Sequence, residues 1–312
     1  MYGPQDVVAS PRVRLGLGRT IQLTAALQES RFSSIVSFYR RKYLGDYGKQ
    51  IRLNRVLRAG RGTMVVAFDH AVVHGPIPGT IDPARQIQRF ADAQADAILL
   101  NFGTFRYFAE LLSPQFVPGL IARLDWTTAL GGALKTSGNQ FKSCLVARPE
   151  DALRSGADAV ITFLVIGSDD AEFEKNEVQR VARVARECER LGMPLIVESL
   201  ARGPQVQNPC DPKWVMLHSR MAAELGADLI KTEYTGDPAS MHTVVNSCPV
   251  PILVLGGSRT GSDEDVLVFV RSIVKSGAAG VFFGRNVFQA DNMPVLLQRV
   301  RAVLDGREPA QG

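Results

Sequence analysis

The sequence predicts an α/β protein of the (β/α)8 TIM barrel class with a basic N-terminal extension, on three observations. From Thr63 onward, eight short apolar or β-branched runs alternate with longer helical patterns over roughly 250 residues, the size and repeat number of that barrel. The pairs Asp82-Pro83, Asp211-Pro212 and Asp237-Pro238 each set a capping carboxylate before proline at a first helical position. A small repeat, Ala95-Asp96-Ala97, Gly156-Ala157-Asp158-Ala159, Gly226-Ala227-Asp228 and Gly277-Ala278-Ala279-Gly280, ends a helix and enters a strand each time. Glycine there supplies the left-handed residue that closes a helix. A doubly wound parallel sheet is the competing arrangement of the same units.

Taken in order, residues 1–45 form the extension and 46–312 the barrel. The expected strands are Thr63–Phe68, Ala97–Asn101, Gly119–Leu124, Ala159–Leu164, Pro194–Val197, Leu229–Thr232, Pro251–Leu255 and Gly280–Phe283. Charge divides unevenly between the parts. Residues 1–62 hold twelve Lys and Arg against three acids, leaving 24 against 28 beyond them. Leu, Ile and Phe are interspersed with these cations, a mixture that favours packing on the barrel or on a sister subunit over binding nucleic acid.

With 46% hydrophobic and 21% charged residues, disorder, collagen and coiled coil are excluded. The apolar runs fall short of the ~20 residues that a membrane-spanning helix needs. Four scattered cysteines without a CxxC pair suggest neither a zinc site nor a disulfide framework, and fit a reducing, cytoplasmic setting. Residues 1–30 carry no secretory pattern; a transit peptide is the minority alternative.

Barrel chemistry sits at the carboxyl ends of strands. Lys231 is placed there, where burial disfavours the ammonium and makes an amine nucleophilic toward carbonyls. The bland alternative is a rim lysine ion-paired near Glu233. Gly256-Gly257-Ser258 and Gly284-Arg285 give glycine-rich turns after the seventh and eighth strands, the usual phosphate position in such barrels, with Arg285 as bidentate anion donor. Asp69-His70 closes the first strand, where a carboxylate can orient hydroxyls or move a proton. The remaining histidines lack metal-ligand spacing, so no metal is expected.

Together, Asp69-His70 with the following Gly75-Pro76-Ile77-Pro78-Gly79 loop, Ile230-Lys231-Thr232 with Tyr234-Thr235-Gly236-Asp237, Gly256-Gly257-Ser258 and Gly284-Arg285-Asn286-Val287-Phe288-Gln289 resemble the archaeal-type class I fructose-bisphosphate aldolase family. The resemblance covers about residues 46–312 and is strongest to the branch making 2-amino-3,7-dideoxy-D-threo-hept-6-ulosonate. It implies a Schiff base between Lys231 and a phosphorylated ketose, phosphate held by the last two strand loops, no cofactor or metal, and a ring-shaped homo-oligomer. Two departures stand out. Asp-His-Gly reads Asp69-His70-Ala71, and Tyr-Pro-Arg-Gly reads Leu200-Ala201-Arg202-Gly203, so the family's tyrosine acid/base is a leucine. Arg202 survives and could hold a second anionic group.

The expected function is therefore a Schiff-base aldolase or transaldolase that makes or breaks a carbon–carbon bond in a phosphorylated ketose, with an aldehyde partner. Lys231 is the expected nucleophile, Asp69 the orienting or proton-relaying carboxylate, and Glu198 the remaining acid/base. His70, Arg202, Gly256, Gly257, Ser258, Gly284 and Arg285 are expected around substrate and phosphate. Asn101, Phe102, Trp126, Thr162 and Phe163 are expected pocket walls. The alternatives are a non-catalytic sugar-phosphate-binding paralogue and a thiolase-like acyl transferase, a relative that also lacks the tyrosine.

Overall fold

The computed structural model describes residues 46–307 apart from 59, 109, 113–117, 132–140 and 260. The expected extension, residues 1–45, lies outside the described residues, as does Thr260 in the seventh-strand loop. Eight parallel strands close in the order β1 (Thr63–Phe68), β10 (Gly280–Phe283), β9 (Ile252–Leu255), β8 (Leu229–Thr232), β7 (Leu195–Ala201), β6 (Ala159–Ile166), β3 (Gly119–Arg123) and β2 (Ala97–Asn101). The barrel is therefore the architecture, and the doubly wound sheet is not. Two further strands, β4 (Asp125–Thr127) and β5 (Ser143–Leu145), pair antiparallel as a hairpin between β3 and β6.

The helices are α1 (Tyr47–Val56), α2 (Ala71–His74), α3 (Pro83–Asp92), α4 (Phe102–Tyr107), α5 (Pro149–Arg154), α6 (Ala171–Leu191), α7 (Pro212–Glu224), α8 (Pro238–Ser247), α9 (Asp263–Ser276), α10 (Arg285–Phe288) and α11 (Met293–Leu304). All three Asp-Pro caps form: Asp82 accepts from the Arg85 N–H, Asp211 from Lys213, and Asp237 from Ala239 and Ser240. No helix among the described residues is long and apolar enough to cross a membrane.

Strand alternation makes two cores. Val66, Phe68, Ile98, Leu100, Val160 and Val197 face the helices, whereas Val65, Ala67, Leu99, Ile121, Ile161, Ile196, Leu229 and Phe282 fill the barrel interior. α1 closes the amino end of that interior with Leu53 and Val56, and Leu57 just beyond the helix joins them. A side chain at Gly119 would meet the Arg55 carbonyl at 2.5 Å, so glycine there lets the helix end rest on β3.

The small repeat has a specific task. Asp96 accepts the Met64 N–H at 2.8 Å and returns its own N–H to the Met64 carbonyl. Asp158 does the same with Leu120, and Asp228 with Leu195. Cations spaced every third residue along 49–61 then reach these carboxylates: Lys49 to Asp228 at 3.0 Å, Arg55 to Asp158 at 3.2 Å, and Arg58 and Arg61 to Asp96 at 3.1 Å. Part of the basic N-terminal charge is thus spent on the barrel's own amino end.

Candidate active site

The inward side of β7 runs Ile196, Glu198, Leu200, and Arg202 follows it, so one strand carries an apolar base and then a polar layer. Glu198 lies directly opposite Lys231 in the β7–β8 register, and Lys231 opposite Leu253 of β9. Lys231 Nζ is 2.8 Å from Glu198 Oε1 and 4.7 Å above the Phe282 ring. Lysine is thus paired, but with Glu198. Glu233, the partner in the bland reading, pairs with Arg202 at 2.6 Å, and burial holds the Glu233 carboxyl above its ordinary range against that cation.

Arg123 at the end of β3 completes the layer. Its Nε and Nη2 stand 2.9 and 2.8 Å from Asp69 Oδ2, Nη2 also donates to Glu198 Oε2, and its guanidinium carbon lies 3.9 Å from the Phe163 ring centroid. Burial acts to raise the Asp69 carboxyl, but Arg123, then Lys231 and His70, override it and hold it at about 2. His70 packs edge-on to Phe288 at 5.1 Å; burial pushes its imidazole down to about 4, leaving it neutral at neutral pH.

Above this layer opens a cavity of about 320 Å³. Asp69, His70, His74, Arg123, Glu198, Arg202 and Lys231 line one part of it, and Gly256, Gly257, Ser258, Gly284 and Arg285 another. Leu200, Phe163, Ala129, Leu130 and Leu255 form an apolar wall. The glycines have steric reasons. A Cβ on Gly284 would come within 2.3 Å of His70 Cε1, and one on Gly256 within 2.7 Å of Asn286 Nδ2. Gly257 adopts φ +67°. Among the described residues Arg285 Nε is buried without a partner, and burial lowers the guanidinium pKa, so an anion entering between the turns would meet an unsatisfied donor.

The ten residues singled out from sequence for catalysis and substrate binding all lie on this cavity. The proposed walls fare worse. Of Asn101, Phe102, Trp126, Thr162 and Phe163, only Phe163 lines it. Thr162 faces outward, donating to Asp125 Oδ2 at 2.6 Å, because alternation puts it on the opposite side of β6 from Phe163. Glu198 stands within its strand and not at its end, since β7 continues to Ala201. Sequence reasoning missed Arg123. Its signal was a lone cation closing the apolar run Gly119–Arg123.

The model of the DeoC/LacD family aldolases matches residues 63–290. The chain belongs to that family. Among the aldolase's relatives, the 2-amino-3,7-dideoxy-D-threo-hept-6-ulosonate synthase of Halobacterium salinarum is 33% identical over 85% of this chain and 94% of its own. The 2-amino-4,5-dihydroxy-6-oxo-7-(phosphonooxy)heptanoate synthase of Streptomyces griseus is 32% identical over 78% and 85%. A solved archaeal fructose-1,6-bisphosphate aldolase, with its catalytic lysine covalently bound to a carbinolamine intermediate, superposes with a TM-score of 0.73 at 28% identity, covering 83% of this chain and all of that one. This aldolase is accordingly a class I enzyme, of the type in which a lysine forms a Schiff base with substrate.

Proposed function

We propose that Lys231 is the Schiff-base lysine of this aldolase and that its donor is a phosphorylated ketone. The observation that carries the reading is the Lys231–Glu198 pair at the floor of a cavity whose other part is the glycine turns and Arg285. Glu198 takes a proton from the lysine ammonium. The free amine adds to the ketone carbonyl, and loss of water gives an iminium. The iminium draws electrons from the neighbouring carbon, so that carbon's proton passes to Asp69 or water and an enamine forms; the enamine attacks an aldehyde, whose oxygen takes the proton back, and water adds to the resulting iminium and releases the product. Asp69 orients hydroxyls or relays protons, and His70 lines the donor side. Backbone N–H groups of Gly256, Gly257, Ser258 and Gly284, with Arg285, hold the phosphate.

Arg202, fixed by Glu233, supports an anionic group on the acceptor. The two synthase relatives are named for products that carry a carboxylate, which such a cation would suit. Leu200 leaves the tyrosine's place apolar, which supports synthesis with a distinct acceptor over fructose-bisphosphate cleavage. The resemblance supports a homo-oligomer. Four free cysteines support a reducing, cytoplasmic setting.

Borohydride reduction in the presence of dihydroxyacetone phosphate is the test. Wild type should gain the mass of the reduced adduct at Lys231, and Lys231→Met should gain none. An adduct on another lysine overturns the assignment.

A further inference from the structure

We propose that Arg123 is a positioning residue for this reaction: it holds the Asp69 and Glu198 carboxylates as anions on either side of the Lys231 amine, and Asp125 with Arg180 holds it from outside the barrel. The proposal rests on the reading of Lys231 as the imine-forming amine.

Arg123 is 1% exposed, and its guanidinium is the only group among the described residues that contacts both carboxylates. A buried carboxylate without a partner takes up a proton. A protonated Glu198 could not receive the lysine's proton, and a protonated Asp69 could not accept one from substrate. When the proton passes from Lys231 to Glu198 both become neutral, and Arg123 still balances Asp69. The planar fork matters, because it reaches two acids at fixed geometry while a lysine ammonium reaches one.

In the brace behind it, Asp125 is fully buried and the Arg180 side chain is 9% exposed. Arg123 Nη1 stands 3.5 Å from Asp125 Oδ1. Asp125 Oδ2 accepts from Thr162 Oγ1 at 2.6 Å, from the Phe163 N–H at 2.8 Å and from Arg180. Arg180 on α6 donates to Glu177 at 2.5 Å and to the Phe163 carbonyl at 3.1 Å. Charges therefore alternate from Lys231 through Glu198, Arg123, Asp125 and Arg180 to Glu177. The groups facing Asp69 are Arg123 of β3, Lys231 of β8, Glu198 of β7 and the adjacent His70, with Arg285 beyond the imidazole. Among the cations, Arg123 opposes the burial of Asp69 most strongly.

The test uses two readouts that need no acceptor: borohydride trapping at Lys231, and deuterium exchange from heavy water into dihydroxyacetone phosphate, followed by mass spectrometry from pH 5 to 9. Arg123→Met should lower exchange at pH 7 by roughly a hundred- to ten-thousandfold, the range of a disabled general acid–base group. Its acid limb should rise by at least one pH unit, while half-saturation by dihydroxyacetone phosphate changes less than about threefold. Arg123→Lys should restore most of the limb position but not the rate. Variant profiles that superimpose on wild type overturn the proposal, as does a loss of rate with no limb shift. If Arg123→Met fails to fold, Arg180→Met decides: a several-fold loss with an upward limb supports the brace, and an unchanged profile overturns it. Wild type that neither traps nor exchanges overturns the Lys231 reading as well, whereas trapping in wild type with unshifted variants overturns this proposal alone.

Discussion

Leu200 is 1% exposed and packs with Ala129, Phe163, Val165 and Phe173, so the position where the resemblance leads one to expect a tyrosine is filled by hydrocarbon. Leucine cannot pass a proton, and general acid–base groups contribute ~10²–10⁴ in rate. Fructose 1,6-bisphosphate cleavage should therefore be slow in wild type and faster in Leu200→Tyr, while Glu198→Gln costs a comparable factor on the native reaction. A continuous assay of triose phosphate release measures the first two. Arg285→Ala should raise KM for a phosphorylated donor by roughly ten- to a hundredfold, from a charge-assisted bond of about 1.5–3 kcal/mol, and leave the dephosphorylated analogue nearly unchanged. Steady-state kinetics on both donors decides this. Arg285 was legible because the loop after the last barrel strand is a phosphate position, Glu198 because it follows the expected fifth strand, and Leu200 only through the resemblance. Arg123 was not, since a single buried arginine looks like any strand-terminal cation until its two acids, 54 and 75 residues away, are brought to it.

At the level of elements, the repeat that ends helices explains one exception. Gly156, Gly226 and Gly277 adopt positive φ where their helices end, and Gln94 takes the same place before Ala95-Asp96 with φ +57°, the sole non-glycine with positive φ among the described residues. A side chain in that region costs about 1–2 kcal/mol, offset in part by the greater unfolded freedom of glycine. Gln94 is exposed, so Gln94→Gly should stabilise by about 0.5–1 kcal/mol, seen as a higher urea midpoint at unchanged m. Helix starts and strand centres were readable from caps and apolar runs. The β4–β5 hairpin was not, because three-residue strands carry no measurable alternation, and the turn residues between them, Gly131-Gly132 and Ser137-Gly138, lie in a connection of fifteen residues that fixes no register. It also shortened the third barrel strand to Arg123, drawing Asp125 out of the barrel to brace the site.

For the molecule as a whole, acid sensitivity follows from groups the fold keeps uncharged. His218 on α7 is fully buried with Nδ1 3.0 Å from Ser199 Oγ, and burial pushes it down to about 3; His70 sits at about 4. An unfolded histidine protonates near 6.5, so between about pH 6.5 and these values the unfolded chain holds more protons and stability falls as pH falls. Asp69, held at about 2, adds stability above about pH 4 that is lost on further acidification. His218→Gln should make the loss of unfolding free energy between pH 7 and pH 5 smaller than in wild type by about 2 kcal/mol, one proton over about 1.5 pH units. Denaturant melts at the two pH values measure it.

The reciprocal aspartate pairings each join two successive barrel strands: Asp96 ties β2 to β1, Asp158 ties β6 to β3, and Asp228 ties β8 to β7. At Ala279 only the backbone half survives, its N–H donating to the Ile252 carbonyl at 2.8 Å. Every such tie falls inside one half of the molecule when the chain is divided at Gly192. The reacting groups divide otherwise. Asp69 and Arg123 belong to the first half, Glu198, Lys231 and Arg285 to the second, and the Arg123–Glu198 contact crosses the seam. Two half-barrels made as separate polypeptides would thus each keep their internal stitching and neither would hold a competent site, so that turnover would report their union.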